Sequence, residues 1–117
     1  MLKSSLAIIF YKEDSGREPV ADWLKKLDRQ ERTKIGEDLQ TLQYRWPLGM
    51  PLVKSLDKGL WELRTRLPNR ISRIIFVVQG GYIILLNGFI KKTEKTPSRE
   101  IETAKARLKK LEGYGYA

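Results

Sequence analysis

Between Leu60 and Ile90 three strand-length runs follow one another with only two-residue breaks, and that spacing restricts the fold more than any other feature. The runs are Leu60 to Leu67, Arg70 to Gln79 and Tyr82 to Ile90, rich in β-branched and large apolar residues. Pro68-Asn69 separates the first two, and Gly80-Gly81 is a strong two-residue hairpin signal between the last two. Connections this short join antiparallel neighbours, because a parallel pair needs a crossover of roughly a dozen residues. The centre of the molecule is therefore predicted to be an antiparallel meander.

The flanking segments supply helices. Residues 5–12 read as one more strand, closed by the turn Glu13-Asp14-Ser15-Gly16. Pro19 suits a first helical turn, and Val20, Trp23, Leu24 and Leu27 fall at the spacing of an apolar stripe. A second helix is predicted from Gln30 to Arg45, with Ile35, Leu39 and Leu42 on one face and Pro47 as its stop. The two form a helical hairpin on one sheet face. Residues 47–59, with two prolines and two glycines, read as a long connection. Thr96 and Pro97 are assigned as N-cap and first residue of a final helix over 97–111, ended by Gly113. Its apolar side is Ile101, Ala104, Leu108 and Leu111. The order is β-α-α-β-β-β-α, an α+β fold, and 117 residues make a single domain, 1–117.

Composition excludes several chemistries. Cysteine and histidine are both absent, so there is no thiolate zinc site, no cysteine nucleophile and no imidazole base. The net charge is +9, unevenly placed. Residues 1–58 carry 11 basic and 9 acidic side chains; residues 59–117 carry 12 and 5. Such a basic patch suits a polyanionic partner. The apolar runs at Ile74 to Val78 and Tyr82 to Leu86 are far shorter than the ~20 residues a spanning helix needs. No signal-peptide pattern is present, and a cytoplasmic protein without membrane contact is expected.

Strand alternation places Trp61, Leu63 and Leu67 on one side and Glu62, Arg64 and Arg66 on the other. That second face is either solvated surface or a binding face. In the next run Arg73 interrupts an apolar row of Ile71, Ile75 and Val77. A cation there snorkels, pairs with Glu62, or sits where a ligand arrives. Lys91, Lys92 and Lys95 crowd just before a helix N-terminus, either a solvated loop or a phosphate cradle. Lys105, Arg107, Lys109 and Lys110 read as a solvated helix face, and the Tyr114/Tyr116 tail as either exposed or folded back. No nucleotide-binding glycine fingerprint and no persuasive carboxylate pair is present.

These residues carry a resemblance. Leu60-Trp61-Glu62-Leu63-Arg64, Arg73-Ile74-Ile75-Phe76, and the run from Leu85 through Phe89-Ile90-Lys91-Lys92-Thr93-Glu94-Lys95-Thr96-Pro97 are similar to the phage-derived HigB-like branch of the RelE/ParE toxin superfamily. Glu100, Ile101, Glu102 and Ala104 continue the likeness into the last helix. The resemblance implies a small RelE-like fold and the toxin of a type II toxin–antitoxin module. It implies a ribosome-dependent mRNA endoribonuclease (an mRNA interferase) working without metal or cofactor. The expected partners are mRNA, the ribosome and a HigA-like helix-turn-helix antitoxin, the free toxin being monomeric. By position, Arg73 matches a phosphate-contacting arginine and Lys92 a second basic catalytic position, with Lys91 and Lys95 beside it. Arg64, Arg66, Arg70 and Arg99 are the RNA-binding candidates. The alternatives are a ParE-like, non-catalytic gyrase inhibitor and a phage-derived remnant that only binds nucleic acid.

The chemistry fits cations better than it fits proton transfer. Internal transesterification removes a proton from the 2′-hydroxyl, stabilises a phosphorane and protonates the 5′-oxygen. Fixed cations on developing oxyanion charge serve the middle role well. Some members of the superfamily place a tyrosine or histidine at or before the last helix as the base; Thr96-Pro97-Ser98-Arg99 offers neither. The base is left unassigned.

Overall fold

The structure, a computed structural model, describes residues 5–91 and 95–113. Its elements are β1 (Ala7–Phe10), α1 (Pro19–Lys25), α2 (Arg29–Arg45), β2 (Val53–Ser55), β3 (Trp61–Arg66), β4 (Ile71–Gln79), β5 (Tyr82–Lys91) and α3 (Ser98–Gly113). They form an α+β fold around one five-stranded sheet, ordered β1-β5-β4-β3-β2. The meander is present: β3, β4 and β5 pair antiparallel in sequence. Both glycines of the β4–β5 turn have positive φ, 53° and 84°, as a two-residue type I′ turn requires.

Two features depart from the expected order. Val53–Ser55 leaves the long connection to pair antiparallel with β3, as an edge strand of three residues. Prolines and glycines surround it, and so short a strand is specified by its neighbour more than by its own pattern. β1 joins the far edge parallel to β5, so the sheet is mixed.

Each face buries a core. On one, α1 and α2 cover Leu63, Ile74, Phe76, Ile83 and Leu85 with Val20, Ile35, Leu39 and Leu42. Trp46 ends this layer with edge-on contacts to Trp61 and Phe76, at 5.0 and 5.6 Å between ring centroids. Asp28 caps α2 by accepting the Glu31 N–H at 2.9 Å. On the other face α3 sets Ala104 and Leu111 against Ile75, Ile84, Leu86 and Phe89.

The close approach of α1 depends on Gly88. A Cβ there would stand 2.5 Å from Cε3 of Trp23, so the indole lies directly on the β5 backbone. One register shift places the site. Ile75 pairs with Asn87 but Phe76 with Leu85, so Leu86 is an extra residue and both Leu86 and Asn87 are turned toward α3.

Candidate functional site

The register of β3, β4 and β5 writes a small grid on the α3 face. Arg64 lies directly across from Arg73, and Arg73 from Phe89; in the next row Arg66 faces Ile71, and Ile71 faces Lys91. Residues directly opposite in an antiparallel pair share a face, with Cβ atoms roughly 4.5–5.5 Å apart. Four cations therefore project from one end of one face. Like charges placed opposite each other destabilise a sheet, and the buried carboxylate of Glu62 on the same face offsets part of that cost.

Burial sorts the four. Arg73 is 0% exposed, and it does not snorkel to the surface. The guanidinium of Arg64 is also largely covered, with 11% of its side chain exposed. Arg66 is exposed and Lys91 half-buried. Arg66, Lys91 and the margin of Arg64 are thus open to solvent, with Arg73 beneath.

One carboxylate organises this charge. Glu62, 0% exposed, accepts from Arg64 Nε at 2.9 Å and from the hydroxyl of Thr96. Glu62 thus pairs with Arg64, its neighbour but one on the same strand face. Thr96 is no helix cap: its hydroxyl turns inward, and the Pro97 carbonyl accepts the N–H groups of Glu100 and Ile101 at 3.0 and 3.4 Å. A buried carboxylate that lost either partner would be poorly solvated, so the bonds tie the lead-in of α3 to the middle of β3.

A second set of bonds fixes the rest of α3. Asn87 Nδ2 donates to the carbonyl and to Oε1 of Glu100, at 3.1 and 2.9 Å. Arg107 Nη1 donates to the Leu86 carbonyl at 2.7 Å, beside the bulge, while its guanidinium lies 5.6 Å from the Tyr11 ring centroid. Arg107 is thereby a structural residue and not part of a solvated face. Lys105 bonds to Asp57 at 2.9 Å, which holds the Asp57 carboxyl below its ordinary value and the Lys105 ammonium above its own.

The remaining candidates are dispersed. Arg70 turns toward α2 and makes a two-toothed bond to Glu31, Nε to Oε2 and Nη2 to Oε1, both at 2.8 Å. These bonds lower the Glu31 pKa and raise that of Arg70. Arg70 is thus committed to the fold, on the opposite side from Arg73. Arg99 is exposed on the first turn of α3, its Nε 4.0 Å from Glu100. Lys95 is exposed just before that turn. Lys92 and the Tyr114/Tyr116 tail lie outside the described residues. Among the described residues no group of three or more carboxylates could hold a metal ion, and no helix is long and apolar enough to cross a membrane.

Beside Arg64 and Arg66 a cleft of about 350 Å³ opens between the end of β3, the segment before β2 and α2. The cleft did not stand out in the sequence, and Glu62 stood out only as a possible partner for a cation. Its signals were strand alternation, which set it on a face with Arg64 and Arg66, and its place as an acid between Trp61 and Leu63.

One comparison finds a family over most of the chain. No match is found among the curated proteins. The family model described as phage derived protein Gp49-like (DUF891) matches residues 22–109, which take in the second half of α1, all of α2, β2 to β5 and most of α3. With three quarters of its length inside that match and every residue of the cationic grid within it, the chain belongs to the phage-derived Gp49-like family.

Proposed function

We propose that the chain is the toxin of a type II toxin–antitoxin module of the HigB-like kind, a ribosome-dependent mRNA endoribonuclease. The observation that carries the reading is the cationic grid, in which Arg64, Arg66, Arg73 and Lys91 share one end of one sheet face. Membership of the Gp49-like family, which is RelE/toxin-like, supports it.

In this reading Arg66, Lys91 and the margin of Arg64 meet the phosphates of a single RNA strand. Lys95, exposed at the mouth of α3, extends their reach, and Lys92 belongs to the same basic stretch. Arg73 acts from beneath. Buried charges are screened far less than exposed ones, so its guanidinium adds positive potential where the phosphorane gathers negative charge. The 2′-oxygen forms a bond to phosphorus while the bond from phosphorus to the 5′-oxygen breaks. The 2′-hydroxyl gives up its proton, and the leaving 5′-oxygen takes one up. Glu62 is withdrawn from this step, because it is buried and already accepts from Arg64 and Thr96. Alignment of the 2′-hydroxyl by the ribosome supplies much of the rate, since a well-oriented reaction gains several powers of ten from positioning alone.

The antitoxin is a small helix-turn-helix protein with an acidic segment that covers the grid. Charge complementarity makes its association fast and salt-sensitive. Purified protein, ribosomes and a defined mRNA test the activity, with a gyrase supercoiling assay in parallel. New RNA 5′ ends that require ribosomes are the expected result. Gyrase poisoning without RNA cleavage overturns it in favour of a ParE-like inhibitor.

A further inference from the structure

We propose that the cleft beside Arg64 is a nucleobase subsite, selective for a base that carries an exocyclic amino group. The proposal rests on the RNA-binding reading above and assigns the part of the substrate that the cationic rows leave unread.

The cleft exists because β3 outruns its edge neighbour. Register with β2 ends at Leu63 and Val53, and one last bond runs from the Arg64 N–H to the Leu52 carbonyl at 2.8 Å. Past that point, among the described residues, Thr65 and Arg66 have no strand on that side. The opening is walled by α2 and holds about 350 Å³, within the ~300–1,000 Å³ of small-molecule sites.

Its lining matches the two halves of a nucleotide. Met50, Leu52 and Ile71 give an apolar wall, and Arg64 and Arg66 give cations at the edge shared with the grid. Single-stranded RNA is read by splaying bases onto apolar, aromatic or guanidinium surfaces while the phosphates sit on cations. Arg64 is held through Nε by the buried Glu62, so one such guanidinium is fixed in place. Met50 is 61% exposed at the mouth, a flexible apolar side chain left in water until something flat covers it.

Asp38 supplies the selectivity. Its side chain is 14% exposed, lines the cleft and sits 3.6 Å from Lys34. A carboxylate accepts from an exocyclic amine, as acidic side chains do from the N4 amino group of cytosine. Adenine, cytosine and guanine offer that donor, whereas uracil presents only carbonyl oxygens at the corresponding positions. Seating uracil beside Asp38 sets oxygen against oxygen.

The test uses the isolated full-length chain and six-nucleotide RNAs, with affinity read by fluorescence anisotropy. The probes are oligoadenylate, oligouridylate and an abasic strand of equal length. Oligoadenylate is expected to bind about tenfold more tightly than the abasic strand, at the lower end for a stacked base. Met50→Ala with Ile71→Ala brings the two together, and Asp38→Ala removes the preference for adenine over uracil. Equal binding of intact and abasic strands overturns the subsite, as does discrimination that survives those substitutions. No ribosome is involved, so a failure of cleavage leaves this result standing. Cleavage with no base discrimination sinks the subsite and spares the nuclease, and absence of any binding to the free strands likewise overturns the subsite while the ribosome assay decides the nuclease.

Discussion

The buried carboxylate of Glu62, on β3, accepts a hydrogen bond from the hydroxyl of Thr96, 34 residues later in the chain. This bond and the one from Arg64 Nε satisfy an acid that has no access to water. Thr96→Val keeps the shape of the side chain and removes the donor. A hydrogen bond to a charged group is worth about 1.5–3 kcal/mol, so the variant is expected to lose that much stability. Urea unfolding checks it, with Thr96→Ser as the control that keeps the hydroxyl and loses less.

Gly88 and Trp23 make a second prediction. Because a Cβ at position 88 would stand 2.5 Å from the indole, Gly88→Ala is expected to destabilise by about 1–3 kcal/mol. Without the ring the same change would favour a strand, since alanine limits the unfolded chain more than glycine does. In a Trp23→Leu background the penalty should therefore shrink or reverse. A double-mutant cycle by chemical denaturation measures the coupling.

Acid should act through Glu31. Arg70 lowers its folded-state pKa from 4.5, so the ionised form is favoured in the native protein more than in the unfolded chain. The stability this contributes is fully present above the ordinary value and is lost as pH falls through the lowered one. Glu31→Gln removes the titrating group. Its urea midpoint is expected to fall less steeply than the wild-type midpoint between about pH 6 and pH 3. Asp57, lowered by Lys105, titrates in the same sense and keeps part of the slope in the variant. Identical slopes for the two proteins would show that the Glu31–Arg70 pair does not form in solution.

RNA affinity should fall with salt in proportion to the phosphates neutralised. For a single strand the slope of log affinity against log salt is about −0.7 per contact. Arg66→Ala is expected to make it shallower by about 0.7, because Arg66 is exposed on the grid. Arg70→Ala should leave the slope unchanged, since its guanidinium is held by Glu31 on the other side of the sheet.

Much of the scaffold is legible because short turns and alternation are local signals. Gly80-Gly81 specifies its hairpin through positive φ, and the rows of β4 follow from period two without knowledge of the partner strands. What stays hidden is set by long-range pairing. β2 is three residues among prolines, and the parallel placement of β1 depends on the completed meander. The same holds at the site. Alternation puts Arg64, Arg66 and Arg73 each on a face of its own strand, but only the register shows that Arg64 opposes Arg73. Thr96 has the composition of an N-cap, and only the proximity of Glu62 draws its hydroxyl inward. Arg70 looks like one more surface arginine until α2 brings Glu31 to it.

The central claim is that the cationic grid is the reactive face, with Arg73 acting from below it. Arg73→Met tests this most directly, because methionine fills most of the buried volume while removing the charge, and Arg73→Lys, which keeps the charge, is its control. The measurement is the rate of ribosome-dependent mRNA cleavage, set beside the urea midpoint of the same variant. The account predicts a protein that still unfolds cooperatively, at a lowered midpoint because Arg73 has interactions of its own in the fold. It predicts a cleavage rate lower by about 10²-fold, as for loss of one fixed charge-stabilising group, with Arg73→Lys restoring part of it. Cleavage at the wild-type rate by a folded Arg73→Met protein would contradict it.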